Sequence, residues 1–162
     1  MRIDKNNYYL DIAESILERS TCLRRHYGAV IVKNDEIIST GYNGAPRGRA
    51  NCTDLKKCVR EERSVPSGEK YELCRSVHAE QNAIISASRK DLLESTLYLV
   101  GKEAKTGKYT KYNRPCTICT RFIINAGISK LVIRDDKTNY HVINVSDYII
   151  DDDTLPKETV WK

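Results

Sequence analysis

The sequence predicts an α/β fold with three layers, in which helices pack on both faces of a mixed β-sheet. Apolar residues recur at helical spacing in several segments, and short apolar runs typical of buried strands lie between them. The predicted order is α-β-β-α-β-α-β, and the alternation of strands and helices late in the chain favours a layered arrangement. A length of 162 residues fits one compact domain, so we expect a single domain over residues 1–162.

The chain begins with a predicted helix and a hairpin. Asp4 is suited to cap the helix, whose apolar stripe consists of Tyr9, Ile12, Ala13, Ile16 and Leu17. A buried strand is predicted over 29–32. The dipeptide at 34–35 predicts the turn into a second strand that contains residues 37–38.

The stretch from Gly41 to Arg75 has a different character. Its hydrophobic periodicity is weak, glycines and prolines punctuate it, and three cysteines fall within it. A long irregular segment in a small domain is usually functional or held by something other than a hydrophobic core.

Regular structure resumes at His78, where apolar residues return to helical spacing, and a strand is predicted over 95–100. A polar loop or hairpin is expected over 101–113. The next helix is expected to begin around Pro115, which suits a first helical position, and to end at Gly127, which suits the position after a helix. Further strands are predicted over 131–133 and 142–145.

Composition and charge narrow the class of protein. The chain has 27 basic and 22 acidic residues, and its net charge of +5 suits an anionic substrate but falls short of a dedicated nucleic-acid binder. No apolar run approaches the roughly 20 residues that span a bilayer, and the N-terminus lacks the apolar stretch of a secretory signal. We therefore expect a cytoplasmic protein without a membrane partner. Its six cysteines then indicate metal binding rather than disulfides.

Two short motifs, each at the start of a predicted helix, carry metal-binding and catalytic residue types. Cys116 and Cys119 are three residues apart, so their thiols lie on one face of a first helical turn, where the helix N-terminus favours negative charge. His78, at the start of the other helix, can supply a third ligand. A tetrahedral zinc with three protein ligands keeps one open position, as catalytic zinc sites do. The motifs are His78-Ala79-Glu80 and Pro115-Cys116-Thr117-Ile118-Cys119.

Glu80 follows His78 by two residues and is predicted to be the catalytic proton shuttle. Zinc lowers the pKa of a bound water to about 7, which makes hydroxide available near neutral pH. Glu80 can accept the water proton and return it to a ring nitrogen and to departing ammonia. Together the two motifs match the H-x-E…P-C-x-x-C pattern of zinc nucleobase deaminases. The alternative is a histidine satisfied in the core, an exposed Glu80 and idle thiols.

Beyond these motifs, the chain resembles the deoxycytidylate deaminase group of the cytidine deaminase superfamily, from about Cys22 to Ile133. Four stretches carry the resemblance: Gly28-Ala29-Val30-Ile31-Val32, Gly41-Tyr42-Asn43-Gly44-Ala45-Pro46, His78-Ala79-Glu80-Gln81-Asn82-Ala83-Ile84, and Pro115-Cys116 through Gly127-Ile128.

This resemblance implies a cytidine-deaminase-like α/β/α fold with a central five-stranded sheet, oligomeric assembly and, often, allosteric control by nucleoside triphosphates such as dCTP and dTTP. It implies hydrolysis of dCMP to dUMP and ammonia. It also implies that Asn43 hydrogen-bonds the sugar and that the Ala79 backbone contacts the pyrimidine edge. From the residues alone, Asn43-Gly44 indicates only a turn.

Two stretches depart from the family pattern, and both border the expected pocket. Segment 102–114 is longer than usual, and the chain reads Arg134-Asp135-Asp136-Lys137 where the family commonly has an acidic-aromatic stretch. A phosphate of the substrate would need a basic partner nearby, and Arg121 is the first candidate because it lies two residues after Cys119. Each candidate could equally be a solvated surface charge. The candidates are Lys111, Arg114, Arg121 and Arg134.

Four cysteines remain and are expected to bind a second, structural zinc, because structural zinc sites usually have four protein ligands. Three of them lie in the irregular segment, which otherwise lacks a means of staying ordered. Some deoxycytidylate deaminases similarly carry a second zinc. The irregular spacing leaves four separate thiols as the alternative, and His26 could replace one cysteine. The four are Cys22, Cys52, Cys58 and Cys74.

Four functions are weighed on these residues. The main prediction is deamination of a free pyrimidine nucleotide, dCMP foremost. Deamination of a base in RNA or DNA would favour aromatic side chains and a basic groove, whereas the chain has one Trp, Trp161, one Phe, Phe122, and ten tyrosines. The third function is deamination of another small heterocycle, such as a nucleoside, a modified pyrimidine or a riboflavin precursor. The fourth is a non-catalytic zinc-stabilised binding module, against which the presence of Glu80 argues.

Overall fold

The structure, a computed structural model, describes residues 1–111 and 113–155. The helices are α1 (Lys5–Leu17), α2 (Cys52–Leu55), α3 (Val59–Glu62), α4 (Ala79–Ile85), α5 (Arg89–Leu92), α6 (Thr117–Ala126) and α7 (Val145–Ile150), with a 3-10 turn at Tyr71–Leu73. The strands are β1 (Arg25–Lys33), β2 (Glu36–Tyr42), β3 (Thr96–Glu103), β4 (Lys130–Arg134) and β5 (Tyr140–Asn144). Trp161 lies outside the described residues.

The five strands form one mixed sheet in the order β2-β1-β3-β4-β5. Strands β3 and β4 run parallel, and the other three neighbouring pairs are antiparallel. The predicted central five-stranded mixed sheet is therefore confirmed.

Alternate side chains of β1 point to opposite faces of the sheet. Val30 and Val32 belong to a core cluster with the buried residues of α1, whereas Ala29 and Ile31 belong to a second cluster with residues of α4 and α6. This alternation is the period of two that a strand imposes on its side chains. Because both faces are covered by helices, the predicted three-layer α/β/α arrangement is confirmed.

The N-terminal elements follow the predictions with small differences. Asp4 caps α1 by accepting a hydrogen bond from the Asn7 backbone N–H at 3.0 Å. The helix buries Leu10 completely, although this residue lies outside the predicted stripe, while Ile12 and Ile16 are only partly buried. The turn residues Asn34 and Asp35 both have positive φ, 51° and 62°, as a tight hairpin turn requires.

Helix α4 lies against β2 at a glycine. A Cβ atom on Gly41 would lie 2.3 Å from the backbone oxygen of Ala79, so only glycine permits this approach. The contact fixes the first turn of α4, which follows His78 and contains Glu80, against the sheet.

Two boundaries differ from the predictions. Pro115 is not the first residue of a helix: Cys116 is the N-cap of α6, and its sulfur accepts a hydrogen bond from the Cys119 backbone N–H at 3.4 Å. A cysteine sulfur thus does what Ser or Asp usually does at this position. Helix α7 follows β5 directly and was not predicted, because only Val145 among its six residues is fully buried and its apolar periodicity is weak.

Arg134 was proposed as a phosphate partner, and this proposal is wrong. The residue is 0% exposed, and its Nη1 lies 2.7 Å from both Asp11 and Glu14 of α1. It is therefore neutralised on the α1 face of the sheet. A buried arginine needs such carboxylate partners, because an unpaired charge there would be strongly destabilising.

Glu14 is the acidic centre of this ion-pair cluster. Burial tends to raise its pKa, but hydrogen bonds from three neighbours outweigh that effect and lower the pKa from 4.5 to about 2. The donors are Lys102 Nζ, Tyr109 Oη and Arg134 Nη1. The cluster joins α1 to β3, to β4 and to the loop that follows β3.

We expect Glu14→Gln to lower the free energy of unfolding at pH 7 by about 3 kcal/mol, since a pKa unit corresponds to about 1.4 kcal/mol. The folded-state pKa of Glu14 lies below its unfolded value, so its contribution is complete above the unfolded pKa of 4.5 and is lost as the pH falls towards 2. Urea unfolding of variant and parent at pH 7 and pH 3 measures this difference. Glu18→Gln, at an exposed position on the end of the same helix, is the control. An equal loss of stability at both pH values would contradict the assignment.

Candidate active site and metal centre

The N-terminal ends of α4 and α6 meet at one side of the sheet. His78 is the N-cap of α4 and Cys116 is the N-cap of α6, and the two helices pack against each other. The backbone N–H of His78 donates to Oε1 of Gln81 at 2.9 Å, which anchors the start of α4. Both predicted motifs therefore lie at helix N-termini, where negative charge is favoured.

Three ligand atoms converge between these helix ends. His78 Nδ1 lies 3.5 Å from Cys116 Sγ and 3.2 Å from Cys119 Sγ. All three atoms are within 4.8 Å of one another, which is the spacing of a group that could hold a metal ion.

This donor set fits zinc. Zn–S bonds of about 2.3 Å and Zn–N bonds of about 2.0 Å in a tetrahedron place neighbouring ligand atoms about 3.6 Å apart. The N–S separations at this site, 3.2 and 3.5 Å, are close to that value. Two soft thiolates and one imidazole are ligands that zinc prefers.

The two thiols differ sharply in acidity. The hydrogen bond from the Cys119 thiol, with further ones from His78 and the Cys119 backbone, lowers the pKa of Cys116 to about 4. That same hydrogen bond to Cys116, together with burial, raises the pKa of Cys119. Burial tends to lower the pKa of His78, but its hydrogen bond to Cys116 and the charge of Glu80 outweigh this and raise it. A divalent cation among the three atoms would favour thiolate at both cysteines.

Glu80 lies in the first turn of α4, beside the ligand atoms. Glu80 is 5% exposed, and burial raises the pKa of its carboxyl group. A buried carboxyl group whose pKa is raised holds a proton more readily than an exposed one, which suits an acid–base shuttle.

A cavity of about 800 Å³ opens over this site. It contains most of the residues predicted to be functional; Ala79 is fully buried and is not in the cavity wall, so a contact through its backbone stays a prediction. The predicted residues that line the cavity are His78, Glu80, Cys116, Asn43, Lys111, Arg114, Arg121, Cys22, Cys52, Cys58 and Cys74.

Asn43 is largely occupied by contacts to its own chain. Its Oδ1 accepts hydrogen bonds from Ser20 Oγ at 2.6 Å and from the Tyr27 backbone N–H at 2.9 Å. Its Nδ2 donates to the Arg25 backbone oxygen at 2.9 Å. An amide nitrogen has two hydrogens, so one donor remains for a ligand.

The basic residues of the cavity wall fall into two groups. Four arginines are engaged by the chain: Arg24 and Arg25 pair with Glu61 and Glu103, while Arg60 and Arg75 donate to backbone oxygens. Within residues 1–111 and 113–155, the other three make no ion pair or side-chain hydrogen bond. These three are Lys111, Arg114 and Arg121.

The long segment after β3 forms a hairpin turn rather than an open loop. The Thr110 backbone N–H donates to the Gly101 backbone oxygen at 3.0 Å, and the Glu103 backbone N–H donates to Lys108 at 2.8 Å. The hairpin lies against α1 through Tyr109, whose hydroxyl donates to Glu14 at 2.8 Å. The chain then returns to the cavity wall at Lys111.

Several cavity residues were not identified from the sequence. Tyr27, Tyr71 and Tyr148 lie in the cavity wall, and their ring contacts could not be read from periodicity. Asn113 is 4% exposed, and its amide nitrogen has no hydrogen-bond partner among the described residues. A polar residue two positions before the Pro-Cys pair was the available signal. An unpaired buried donor costs free energy unless a ligand or water accepts from it.

The four remaining cysteines are neighbours around one end of the cavity. Burial raises the pKa of Cys52, and the thiols of Cys22, Cys74 and Cys58 raise it further. The four sulfur atoms are not within the 4.8 Å spacing seen at His78. The ring Nε2 of His26 contacts the backbone oxygen of Cys22 at 2.9 Å.

The fold and the site together define a class of protein. Two thiols and an imidazole at two helix N-termini, a buried carboxyl group beside them and an α/β/α fold are the features of a zinc-dependent deaminase. The chain belongs to the family described as "Cytidine and deoxycytidylate deaminase zinc-binding region", which matches residues 3–134.

Relatives and solved structures agree with this assignment. A deoxycytidylate deaminase from Mycobacterium phage D29 is 36% identical over 135 residues, covering 81% of this chain and 94% of the relative. One from Schizosaccharomyces pombe is 30% identical over 127 residues, covering 78% of this chain but only 36% of the relative. The dCMP deaminase of cyanophage S-TIM5 in complex with dCMP and dUMP has a TM-score of 0.59 at 28% identity, covering 83% of each chain. The predicted family and fold are confirmed.

Among the described residues, none of the helices has both the length and the apolar composition needed to cross a membrane.

The zinc content of variants distinguishes the proposed metal ligands from Glu80, which is not a ligand. We expect Cys116→Ala to lose one equivalent of zinc, because two of the three ligand atoms cannot hold the ion firmly. Glu80→Gln keeps all three ligand atoms and should keep that equivalent. Metal analysis of the purified proteins, with circular dichroism as the check on folding, measures both. A folded Cys116→Ala protein with unchanged zinc would contradict the ligand assignment.

Proposed function

We propose that this protein hydrolyses dCMP to dUMP and ammonia. The observation that carries the proposal is a buried Glu80 beside the His78, Cys116 and Cys119 ligand atoms, in a cavity whose wall includes uncommitted basic residues. The phage and yeast relatives named deoxycytidylate deaminase, and the cyanophage structure with dCMP and dUMP, support this substrate. The proposed protein is one deaminase domain over residues 1–162.

In the proposed reaction, Glu80 moves protons while His78, Cys116 and Cys119 hold zinc. When bound, the zinc supplies Lewis-acid chemistry and lowers the pKa of a coordinated water to about 7. Glu80 takes a proton from the attacking water as the C4–O bond forms, and delivers it to ring nitrogen N3. The proton of the new C4 hydroxyl then passes through Glu80 to the exocyclic amine; the C4–N bond breaks, the C4–O bond becomes a carbonyl, and ammonia leaves.

Two residues are proposed to orient the nucleoside. The free N–H of Asn43 Nδ2 donates to a sugar hydroxyl, and the other contacts of this amide hold its position. The backbone of Ala79 meets the pyrimidine edge between His78 and Glu80. Both roles come from the family resemblance, and the position of Asn43 in the cavity wall supports the first.

The phosphate of dCMP is proposed to lie near Arg121, with Lys111 and Arg114 adding positive potential. Arg121 is exposed on the outer face of α6, two residues after Cys119, and lines the cavity. Positive charge in a cleft attracts anionic substrates and increases their association rate; the carboxylates of Asp152 and Asp153, which also line this cavity, offset part of that charge.

A substrate panel tests the proposed function. Ammonia release is measured with dCMP, cytidylate, deoxycytidine, cytidine and cytosine, and we expect dCMP to be far the best substrate. Arg121→Ala should raise the KM for dCMP about 10-fold, because a charge-assisted hydrogen bond contributes roughly 1.5–3 kcal/mol, while leaving deoxycytidine turnover unchanged. Arg19→Ala, an exposed residue outside the cavity wall, is the matched control.

A preference for free nucleosides would overturn the proposed phosphate site. Activity only on a modified pyrimidine, a riboflavin precursor or a nucleic acid would show that dCMP is not the substrate. No turnover of any of these compounds by the zinc-loaded protein would overturn the deaminase proposal.

A second, structural zinc bound by Cys22, Cys52, Cys58 and Cys74 is part of the proposal. Two of these sulfurs accept backbone hydrogen bonds at 3.4 Å, from Arg24 N–H and Ser76 N–H, as Cys116 does at the catalytic site. Such contacts stabilise negative charge on sulfur.

The backbone around these cysteines supports the same conclusion. Three non-glycine residues between Cys52 and Cys74 have positive φ: Lys56 at 52°, Ser64 at 50° and Lys70 at 48°. Each such residue costs about 1 kcal/mol and persists only where the surroundings hold it in place. The regular structure here is limited to α2, α3 and one 3-10 turn, so a metal cross-link would supply the missing constraint.

Metal stoichiometry tests the second site. We expect two equivalents of zinc per chain in the parent protein and one in Cys58→Ser. Cys116→Ala should also hold one, and a double variant should hold none. Proteolysis within 52–74 should be faster in Cys58→Ser than in Cys116→Ala, because only the first loses the cross-link of that segment. A parent protein with one equivalent at saturating zinc would contradict the second site.

The remaining parts of the proposal concern assembly, control and location. Exposed apolar side chains on α4 and α6, Ile85 at 71% and Phe122 at 45%, support a homo-oligomer. Control by dCTP and dTTP comes from the family resemblance, and repeating the dCMP assay with each triphosphate tests it. The cysteine usage supports a reducing, cytoplasmic location. The modest net charge of +5 supports a nucleotide rather than a nucleic acid as substrate.

A further inference from the structure

The imidazole of His78 is held on its two sides by different kinds of contact. Nδ1 faces the sulfurs of Cys116 and Cys119. Metal-binding histidines usually donate their other ring N–H to a carboxylate or a backbone oxygen, which fixes the orientation of the ring. Among the described residues, no such hydrogen bond reaches Nε2 of His78. Within the described residues, the orientation of this ring then depends on its packing contacts.

Tyr71 provides the contact on that ring. Its ring centroid lies 5.3 Å from that of His78, and the two planes meet at 79°. This is the edge-to-face arrangement that aromatic pairs prefer. Tyr71 belongs to the 3-10 turn just before Cys74, so a residue of the irregular segment contacts the catalytic histidine directly.

Arg60 in turn fixes the ring of Tyr71. Its guanidinium carbon lies 4.7 Å from the Tyr71 ring centroid, a cation–π distance. Nη2 of Arg60 also donates to the backbone oxygens of Pro66 at 2.9 Å and Glu69 at 2.7 Å. At 7% exposure the arginine is buried, and its contacts tie the turn before Tyr71 to helix α3.

We propose that Arg60 and Tyr71 are positioning residues that orient His78 for metal binding, in place of the usual hydrogen bond to Nε2. The chain of contacts runs from the Arg60 guanidinium to the Tyr71 ring and from that ring to the His78 imidazole. This inference rests on the proposed role of His78 as a zinc ligand. It assigns a function to the irregular segment beyond forming a cavity wall: the segment supports the catalytic histidine from outside the ligand set.

The inference predicts which property of Tyr71 matters. The aromatic ring makes the contact, so Tyr71→Phe should preserve it and Tyr71→Leu should remove it. Arg60→Met keeps a long apolar stem but loses the guanidinium, so the Tyr71 ring should become less well fixed. Tyr8→Leu is the matched control, because Tyr8 makes a similar edge contact with Tyr9, at 5.0 Å and 64°, on α1.

Metal release in the absence of substrate tests the proposal. The protein is loaded with Co²⁺, its visible absorption is recorded, and release to an excess of chelator is followed. Bands missing from Cys116→Ala identify the His78 centre and separate it from any ion held by the other cysteines. We expect release from this centre to be about 10-fold faster in Tyr71→Leu, in line with the effect of removing an outer-shell partner, with altered absorption bands. Release should be faster, to a smaller degree, in Arg60→Met.

The proposal requires Tyr71→Phe and Tyr8→Leu to match the parent. It is overturned if Tyr71→Phe releases metal as fast as Tyr71→Leu, because the hydroxyl and not the ring would then be responsible. It is also overturned if Tyr8→Leu has the same effect, or if Tyr71→Leu and Arg60→Met leave rate and spectrum unchanged. Should Tyr71→Leu fail to fold, Arg60→Met and Tyr71→Phe decide the outcome. Because no substrate is used, a failure here is distinct from a failure of the dCMP proposal.

Discussion

The convergence of three ligand atoms from the N-terminal ends of two helices is the constraint on which the rest of the structure depends. His78 and Cys116 are separated by 37 intervening residues, yet their ligand atoms lie 3.5 Å apart. This is achieved because α4 and α6 pack on the same face of the sheet, and a glycine in β2 lets α4 approach closely. The strand order, the placement of the two helices and the core cluster between them and the sheet together hold the His78 and Cys116 ligand atoms at this distance.

A structural feature can be predicted from the sequence when the interactions that determine it are between residues close together in the chain. The buried strand over 29–32, the turn at Asn34-Asp35 and the end of α6 at Gly127 are decided by neighbouring residues, and all three were predicted. The Cys116 and Cys119 motif could be placed at a helix start because residues three apart share one face of a first helical turn. His78 and Glu80 were likewise predicted to act together from their separation of two residues, and both line the cavity.

The residues that the sequence did not reveal depend on long-range contacts. Arg134 looked like a surface charge near the pocket, but its partners Asp11 and Glu14 lie over 100 residues away in sequence. Tyr71 lacks any periodic pattern, and its contacts with Arg60 and His78 follow from an irregular path of the chain. The start of α6 was predicted two positions too early, at Pro115 instead of Thr117, because a cysteine is an uncommon N-cap residue and none of the usual capping residues stands there.

The hairpin after β3 lies outside the cavity wall, which the chain reaches at Lys111. Its ends are closed by their own backbone hydrogen bonds, and its outer turn at Gly107 has no neighbour within 4 Å of a Cβ placed there. Doubling the length of such an excursion costs only about 0.6 kcal/mol in loop-closure entropy. Insertions or deletions at its tip would leave the path of the chain into Cys116 intact. The segment that leads into the cavity wall at Lys111 can therefore change in length during evolution, while the metal ligands that follow it cannot.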